Sequence, residues 1–348
     1  MTLVFRRFAL LLLIAVLSGC ASPLYYAQAI SGQLEILAKR RPVEEALNDP
    51  ATSALTKHQL KLAQRLRDFA SQELALPDNH SYRRYADLDR PFAVWNVFAT
   101  PELSVEPKQW CFIVAGCVPY RGYFARDKAE QFAASLKQNG YDVYVGGVPA
   151  YSTLGWFNDP LLNTFIHRSE AELAGLLFHE LAHQKIHVSG DSAFNESFAT
   201  VVELEGVKRW FERHGTAQQA QAYRQKIKRR EEFTALVLKH RTRLKEIYAS
   251  DLSDAEKRLA KMRVFGELRN DYAALKAGWG SYTVFDKWFA QDLNNAHLIA
   301  IGLYSQYVAV FQTLLAQHGG DLTIFYREVE RLAQLPPDER TTVLQTPK

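Results

Sequence analysis

Apolar positions along the chain recur in two rhythms. Between residues 25 and 76 they return at near-helical spacing, through Leu34, Ile36 and Leu37 and then Leu55, Leu62, Leu66 and Phe69. Pro42 and Pro50 interrupt them, which predicts a helical N-terminal pair. Residues 90–157 change character: 92–99, 110–114, 122–124 and 141–148 are rich in Val, Tyr, Phe and Trp and are separated by Gly or Pro. That pattern predicts a small sheet, interrupted by one helix over 127–138. From Ser169 the helical spacing resumes. Ser169 and Glu172 make a capping-box pattern, opening a helix expected to run to about His187 and to stop before Gly190. The next helix begins near Ser192 and reaches His214 and Gly215. Residues 217–248 and 254–276, the second opened by Ser253 and Glu256, predict a helical hairpin, and an apolar helix is expected over 296–318. The fold class is therefore α+β and predominantly α. Connections are short and no internal repeat occurs, so residues 20–348 are expected to form a single domain. Its parts are 21–89 (helical), 90–157 (sheet), 168–214 (paired helices), 216–276 (hairpin) and 277–348 (C-terminal helices).

The first residues follow a different logic. Arg6 and Arg7 precede an apolar run over 8–17 that is too short to span a bilayer comfortably, and Leu17-Ser18-Gly19-Cys20 follows. This reads as an export signal over 1–19. Its ending resembles a bacterial lipobox, in which the cysteine is lipidated and becomes the new N-terminus; the alternative is an ordinary signal peptide with a chance cysteine. Ala21, where a lipoprotein retained at the inner membrane often carries Asp, favours the outer membrane, facing the periplasm of a Gram-negative bacterium. Lipid on Cys20 is then the expected membrane attachment. In that oxidising compartment Cys111 and Cys117 can pair around Gly116, the alternative being two free buried thiols.

Composition narrows the function classes. Of the 348 residues 47% are hydrophobic, which excludes a disordered chain. Without Arg6 and Arg7 there remain 40 basic and 38 acidic residues, so no global basicity points to nucleic acid. Three cysteines exclude a zinc ribbon. One local excess stands out: residues 224–246 hold nine Lys or Arg against three Glu, suited to a solvated helix face or to anionic headgroups.

Candidate chemistry centres on His179-Glu180-Leu-Ala-His183. Histidines four apart on one helix face can chelate one ion through neutral imidazoles, and Glu180 lies beside them, facing a water on the metal. The flanking Leu173, Leu176, Leu177 and Ile186 suit a buried helix. His187 continues the stripe but lies about 12 Å of helical rise from His179, too far to share an ion whose bonds are about 2 Å. It is expected to be a cation at the helix C-terminus, or a residue on the substrate side.

Asn195-Glu196-Ser-Phe-Ala199, opening the next helix, resembles the Asn-Glu-x-x-Ala signature that supplies the glutamate ligand in gluzincin metallopeptidases. If the helices fold back around Gly190, Glu196 lies level with His183. Glu203 is the rival, since its spacing resembles the thermolysin type; it is otherwise expected to orient a ligand imidazole. A helix pair with a purely structural polar network is the competing reading, and it has trouble placing buried carboxylates without a cation.

Together with Gly140-Tyr-Asp-Val-Tyr-Val-Gly-Gly-Val148, Ala150-Tyr-Ser-Thr-Leu-Gly-Trp-Phe157, Asn294-Asn-Ala-His-Leu298 and the lipobox, these motifs resemble a bacterial family of predicted aminopeptidase lipoproteins, over nearly all the mature chain. The resemblance implies a zincin-like helix pair with a small sheet before it. It also implies peptide-bond hydrolysis with Zn2+ on His179, His183 and Glu196, and Glu180 activating the zinc-bound water. Similar enzymes align the peptide on an edge strand ahead of the zinc helix, here Tyr151, Ser152, Thr153, Leu154 and Gly155. They stabilise the oxyanion with a Tyr or His from C-terminal helices, for which His297, Tyr304, Tyr307 and Tyr282 are available. One departure matters. Zinc aminopeptidases of this group grip the substrate amine with the Glu of a Gly-x-Met-Glu-Asn strand, and residues 150–155 hold no acid, leaving Asp159, Glu203 or Glu205 to substitute. An endopeptidase, or an envelope lipoprotein whose structural zinc site binds a partner, are the alternatives. A serine hydrolase is disfavoured because no Gly-x-Ser-x-Gly occurs.

Overall fold

The computed structural model describes residues 23–112, 116–150, 152–302 and 306–345. The lipobox with Cys20, Tyr151 and Tyr304 lie outside the described residues. In chain order the elements are α1 (Pro23–Lys39), β1 (Arg41–Pro42), α2 (Val43–Asn48), α3 (Ala54–Gln72), β2 (Arg84–Ala86), β3 (Val94–Pro101), β4 (Trp110–Phe112), β5 (Gly116–Val118), β6 (Arg121–Tyr123), α4 (Arg126–Gln138), β7 (Tyr141–Val148), β8 (Leu161–Leu162) and α5 (Asn163–Ile166). They continue as α6 (Glu170–Lys185), α7 (Ser192–His214), α8 (Ala217–Ala249), α9 (Asp254–Ala277), α10 (Asp286–Phe289), α11 (Asn295–Gly302), α12 (Val308–Gln317), α13 (Leu322–Ala333) and α14 (Pro337–Gln345). The fold is α+β and predominantly α.

The larger sheet runs β6-β3-β7, antiparallel, with Val94 opposite Val148 and Pro101 opposite Tyr141. Helix α4 buries Ala129, Ala133 and Leu136 against Trp95, Val97 and Val143, while Ala296 and Ala300 of α11 pack with Phe98. A two-stranded hairpin, β4-β5, sets Cys111 opposite Cys117, and a disulfide joins them. A second sheet, β1-β2-β8, pairs β2 with β8 in parallel. Hydrophobic periodicity does not reveal it, because two- and three-residue strands are shorter than the repeat that would announce them.

The core that carries the site lies around α6 and α7. Leu173, Leu177, Phe178 and Leu181 of α6, and Phe194, Phe198 and Val202 of α7, are fully buried with Leu66 of α3 and Phe325 of α13. Each large side chain removed from water there contributes about 1.5–3 kcal/mol. Close approach of the two helices requires a missing side chain at Gly206, where a Cβ would stand 2.6 Å from the Phe178 ring.

Two expected boundaries move. The helix expected to reach His187 ends at Lys185, because Ile186 turns extended and the Asn195 side chain captures both backbone groups of Val188 at 2.8 Å. His187 is therefore off the helix. Burial, then the neighbouring His183, lowers its pKa, and the residue stands beyond the last turn where the helix terminus was expected to hold it. The apolar stretch 296–318 is not one helix but α11 and α12. Gly302 ends α11 under the Arg241 guanidinium, 3.0 Å from where a Cβ would stand, and the Tyr307 amide donates to Ser197 Oγ at 3.0 Å.

Candidate metal centre

Helix α6 starts from the closed capping box, in which the Ser169 amide and hydroxyl both donate to Glu172 at 3.2 and 2.6 Å. Ten and fourteen residues on, His179 and His183 stand one turn apart with ring centroids 4.8 Å from each other and planes at 82°. The reversal that brings α7 back is pinned at three points. Gly190 takes φ +79°, a conformation that L side chains rarely adopt; Asp191 caps α7 by accepting from the Phe194 amide at 3.0 Å; and Asn195 bridges to Val188. From α14, the buried Arg340 donates to Asp191 at 2.9 Å and latches the turn to the C-terminal helices. Asn195 is thus the residue that fixes where its neighbour Glu196 emerges.

Glu196 meets both histidines. Its Oε2 lies 3.2 Å from His179 Nε2, its Oε1 3.7 Å from His183 Nε2, and the two Nε2 atoms are 3.2 Å apart. Three ligand-type atoms, two imidazole nitrogens and one carboxylate oxygen, converge within 4.8 Å of one another. Glu203, two turns along α7, approaches the other side of the His179 ring, with Oε2 3.3 Å from Nδ1. Its second oxygen accepts from Arg230 of α8 at 3.1 Å. Gly175 makes room for it, since a Cβ there would stand 3.2 Å from Glu203 Cγ. The arrangement is a relay, Arg230 to Glu203 to His179, that fixes the ring's orientation and leaves Nε2 facing Glu196.

Electrostatics point the same way. Burial works against charge on His179, Glu196 and Glu203, yet the two carboxylates on the nitrogens of His179 raise that imidazole to about 10. Against its own burial, Glu196 is held well below the ordinary carboxylate range by His183 and His179, and Glu203 is lowered by His179 and Arg230. Two buried carboxylates around one imidazole are balanced by positive charge at its nitrogens, which a proton or a metal ion can supply. Nitrogen and oxygen donors in this set suit a zinc-type ion with an open position. Glu180 makes no hydrogen bond or ion pair among the described residues, and burial, opposed by the two histidines, raises its carboxyl.

A cavity of about 320 Å³ opens on His179 and Glu180. Its far wall is α8, contributing Tyr223, Lys226, Ile227 and Arg230, none of which periodicity or motif marks as site residues. Their one signal in the sequence is the basic run that starts at Arg224. The Tyr223 hydroxyl is buried with no hydrogen-bond partner among the described residues, and burial pushes its pKa up, so it remains a donor.

Other expected participants are placed elsewhere. Ser152–Gly155 is a turn and not an edge strand: Leu154 and Gly155 take φ of 55° and 83°, and the Asp159 carboxylate accepts from the Thr153 amide at 3.0 Å and hydroxyl at 2.7 Å. Asp159 takes the very donor a strand would offer a substrate. Burial, resisted by Thr153, raises Asp159 to about 6. His297 rests on the Tyr144 ring at 4.4 Å and on Asn294, and burial lowers it to about 4. Tyr307 receives a hydrogen bond from Gln306, and Tyr282 lies under Arg229 at 4.6 Å. None of these three lines the cavity, so the described tyrosine that does, Tyr223, replaces them as the candidate donor. Glu205 is tied to Arg209 and Lys208.

No curated protein and no solved structure matches this chain. A family model does, over residues 24–344, and its span takes in the helix pair, the Arg230 relay and the Arg340 latch. The chain belongs to the family described as putative aminopeptidase.

Proposed function

We propose that the protein is a zinc-dependent peptidase of the cell envelope, with His179, His183 and Glu196 holding the metal. The observation that carries this is the convergence of two imidazole nitrogens and a carboxylate oxygen beside Glu180, which has no hydrogen-bond or ion-pair partner among the described residues. Family membership supports peptide hydrolysis. Zinc in such a site supplies Lewis acidity, lowering the pKa of water and polarising a carbonyl. The chain's own residues do the rest. Glu180, its carboxyl raised by burial, takes the proton from the attacking water and returns it to the leaving amine. Tyr223 faces the same cavity with a free hydroxyl to donate to the developing oxyanion. Glu203, steadied by Arg230, keeps His179 in the tautomer that presents Nε2.

The experiment is metal removal. Soluble residues 21–348 are expected to cleave a mixed peptide library, to lose cleavage after dialysis against a chelator, and to regain it with one equivalent of zinc. Cleavage that survives complete stripping, verified by elemental analysis, contradicts the reading.

Envelope location is supported by the basic and apolar start that ends at Cys20. No helix among the described residues is long and apolar enough to cross a membrane. Leu24 (81% exposed), Ile30 (61%) and Leu34 (58%) of helix α1, which begins three residues after Cys20 in the sequence, are exposed apolar side chains that support the envelope reading. Carbonate washing is expected to leave the wild type in the membrane fraction and to release Cys20→Ser. A Cys20→Ser protein that still needs detergent would sink the lipid-anchor reading.

A further inference from the structure

We infer that the cavity beside the metal centre binds a carboxylate of the substrate peptide, with Arg168 as its counter-charge, so that a negative group selects the substrate instead of a free amino terminus. This rests on the peptidase reading above.

The charges lining the cavity are unequal in their freedom. Lys226 is spent on Glu172 at 2.6 Å and Arg230 on Glu203 at 3.1 Å. Arg168 lines the same cavity, and its guanidinium makes no ion pair or hydrogen bond among the described residues; only its backbone is engaged, with Phe165 and Gln59. Among the described residues that line the cavity, no carboxylate apart from the base Glu180 is left without a partner for an ammonium. Glu172 and Glu203 are paired, Glu205 is held by Arg209 and Lys208, and Asp159 is 3% exposed and committed to Thr153. A site for a free amine needs an acid without a partner, and this one presents a cation without a partner.

The basic run over 224–246 begins at this wall, and its first turns supply Lys226 and Arg230, whose pairing with Glu172 and Glu203 leaves Arg168 as the cation of the lining that has no acidic partner among the described residues.

Geometry sets the subsite. The ten positions from Glu170 to Glu180 rise about 15 Å along α6, and Arg168 stands just ahead of the first turn of that helix. Allowing for the arginine's own length, an extended peptide at about 3.3 Å per residue would carry the recognised carboxylate roughly two to four residues from the cleaved bond. Leu176 and Ile227 line the path between. That carboxylate is either an Asp or Glu side chain or the peptide's C-terminus; the chemistry is shared, and the test separates them.

Zinc-loaded Glu180→Gln protein would be titrated with peptides labelled on a mid-chain lysine, with fluorescence anisotropy giving the affinity. Acidic peptides are expected to bind about 10–100-fold more tightly than neutral counterparts, the usual worth of a charge-assisted hydrogen bond. N-terminal acetylation should change nothing. Loss of affinity on C-terminal amidation identifies the terminus, and loss on Glu→Gln within the peptide identifies a side chain. In otherwise wild-type enzyme, Arg168→Ala should erase the preference, bringing kcat/KM for acidic peptides to that for their neutral counterparts, and Arg168→Lys should restore part of it. Equal handling of neutral and acidic peptides, a preference that survives Arg168→Ala, or a strict need for a free amine overturns the inference and leaves the peptidase reading standing. Failure of the zinc-loaded wild type to cleave any peptide removes both.

Discussion

Replacing His183 by alanine is expected to remove metal and activity together. Three side chains converge at the centre, and loss of one leaves a two-point site with a buried carboxylate, Glu196, facing an incomplete shell. His179→Ala and Glu196→Ala should do the same. Because metal binding is linked to folding, each should also loosen the α6–α7 pair, seen as a lower unfolding temperature that added zinc no longer raises. Glu203→Ala is the contrasting case. Its carboxylate sits on His179 Nδ1, away from the convergence point, so its loss should reduce metal affinity or turnover by about 10–100-fold without abolishing zinc binding. Equal loss of zinc from Glu203→Ala and Glu196→Ala would mean that the roles of the two glutamates have been divided wrongly.

Glu180→Gln should behave unlike any of these. The amide keeps the shape of the side chain and leaves all three ligand-type groups in place, so zinc content should stay near one per chain. Turnover should fall by about 10²–10⁴-fold, the usual contribution of a general base. Metal content and kcat measured on the same preparation separate the two classes of variant. Wild-type cleavage by Glu180→Gln would remove Glu180 from the mechanism and reopen the structural-zinc, partner-binding reading.

How much of this site could be read in the sequence depended on how local its determinants are. The start of α6, the one-turn spacing of His179 and His183 and the reversal at Gly190 are each written within a few residues. Simple levelling of two antiparallel helices then places Glu196 beside the histidines and leaves Glu203 for the remaining ring nitrogen. The end of α6 was misjudged because a side chain seven residues later, Asn195, decides it by capturing Val188. The edge strand that the resemblance implies over 151–155 is a turn over 152–155 because the Asp159 carboxylate takes the Thr153 amide, a contact that a family resemblance does not record.

Least legible was the far wall of the cavity. Tyr223, Lys226 and Arg230 reach the site only because α8 crosses the helix pair, and that crossing is fixed by tertiary packing. The oxyanion candidates that the resemblance implies lie in the C-terminal part, where His297 packs against Tyr144. The basic run was visible, but its location beside the metal centre was not.

The central claim is that His179, His183 and Glu196 form one metal site, and zinc titration of chelator-stripped protein tests it most directly. The account predicts a single tight site in the wild type, retained in Glu180→Gln, weakened but present in Glu203→Ala, and absent in Glu196→Ala. Zinc binding of equal strength in the wild type and in Glu196→Ala, or no binding by the wild type, would contradict it.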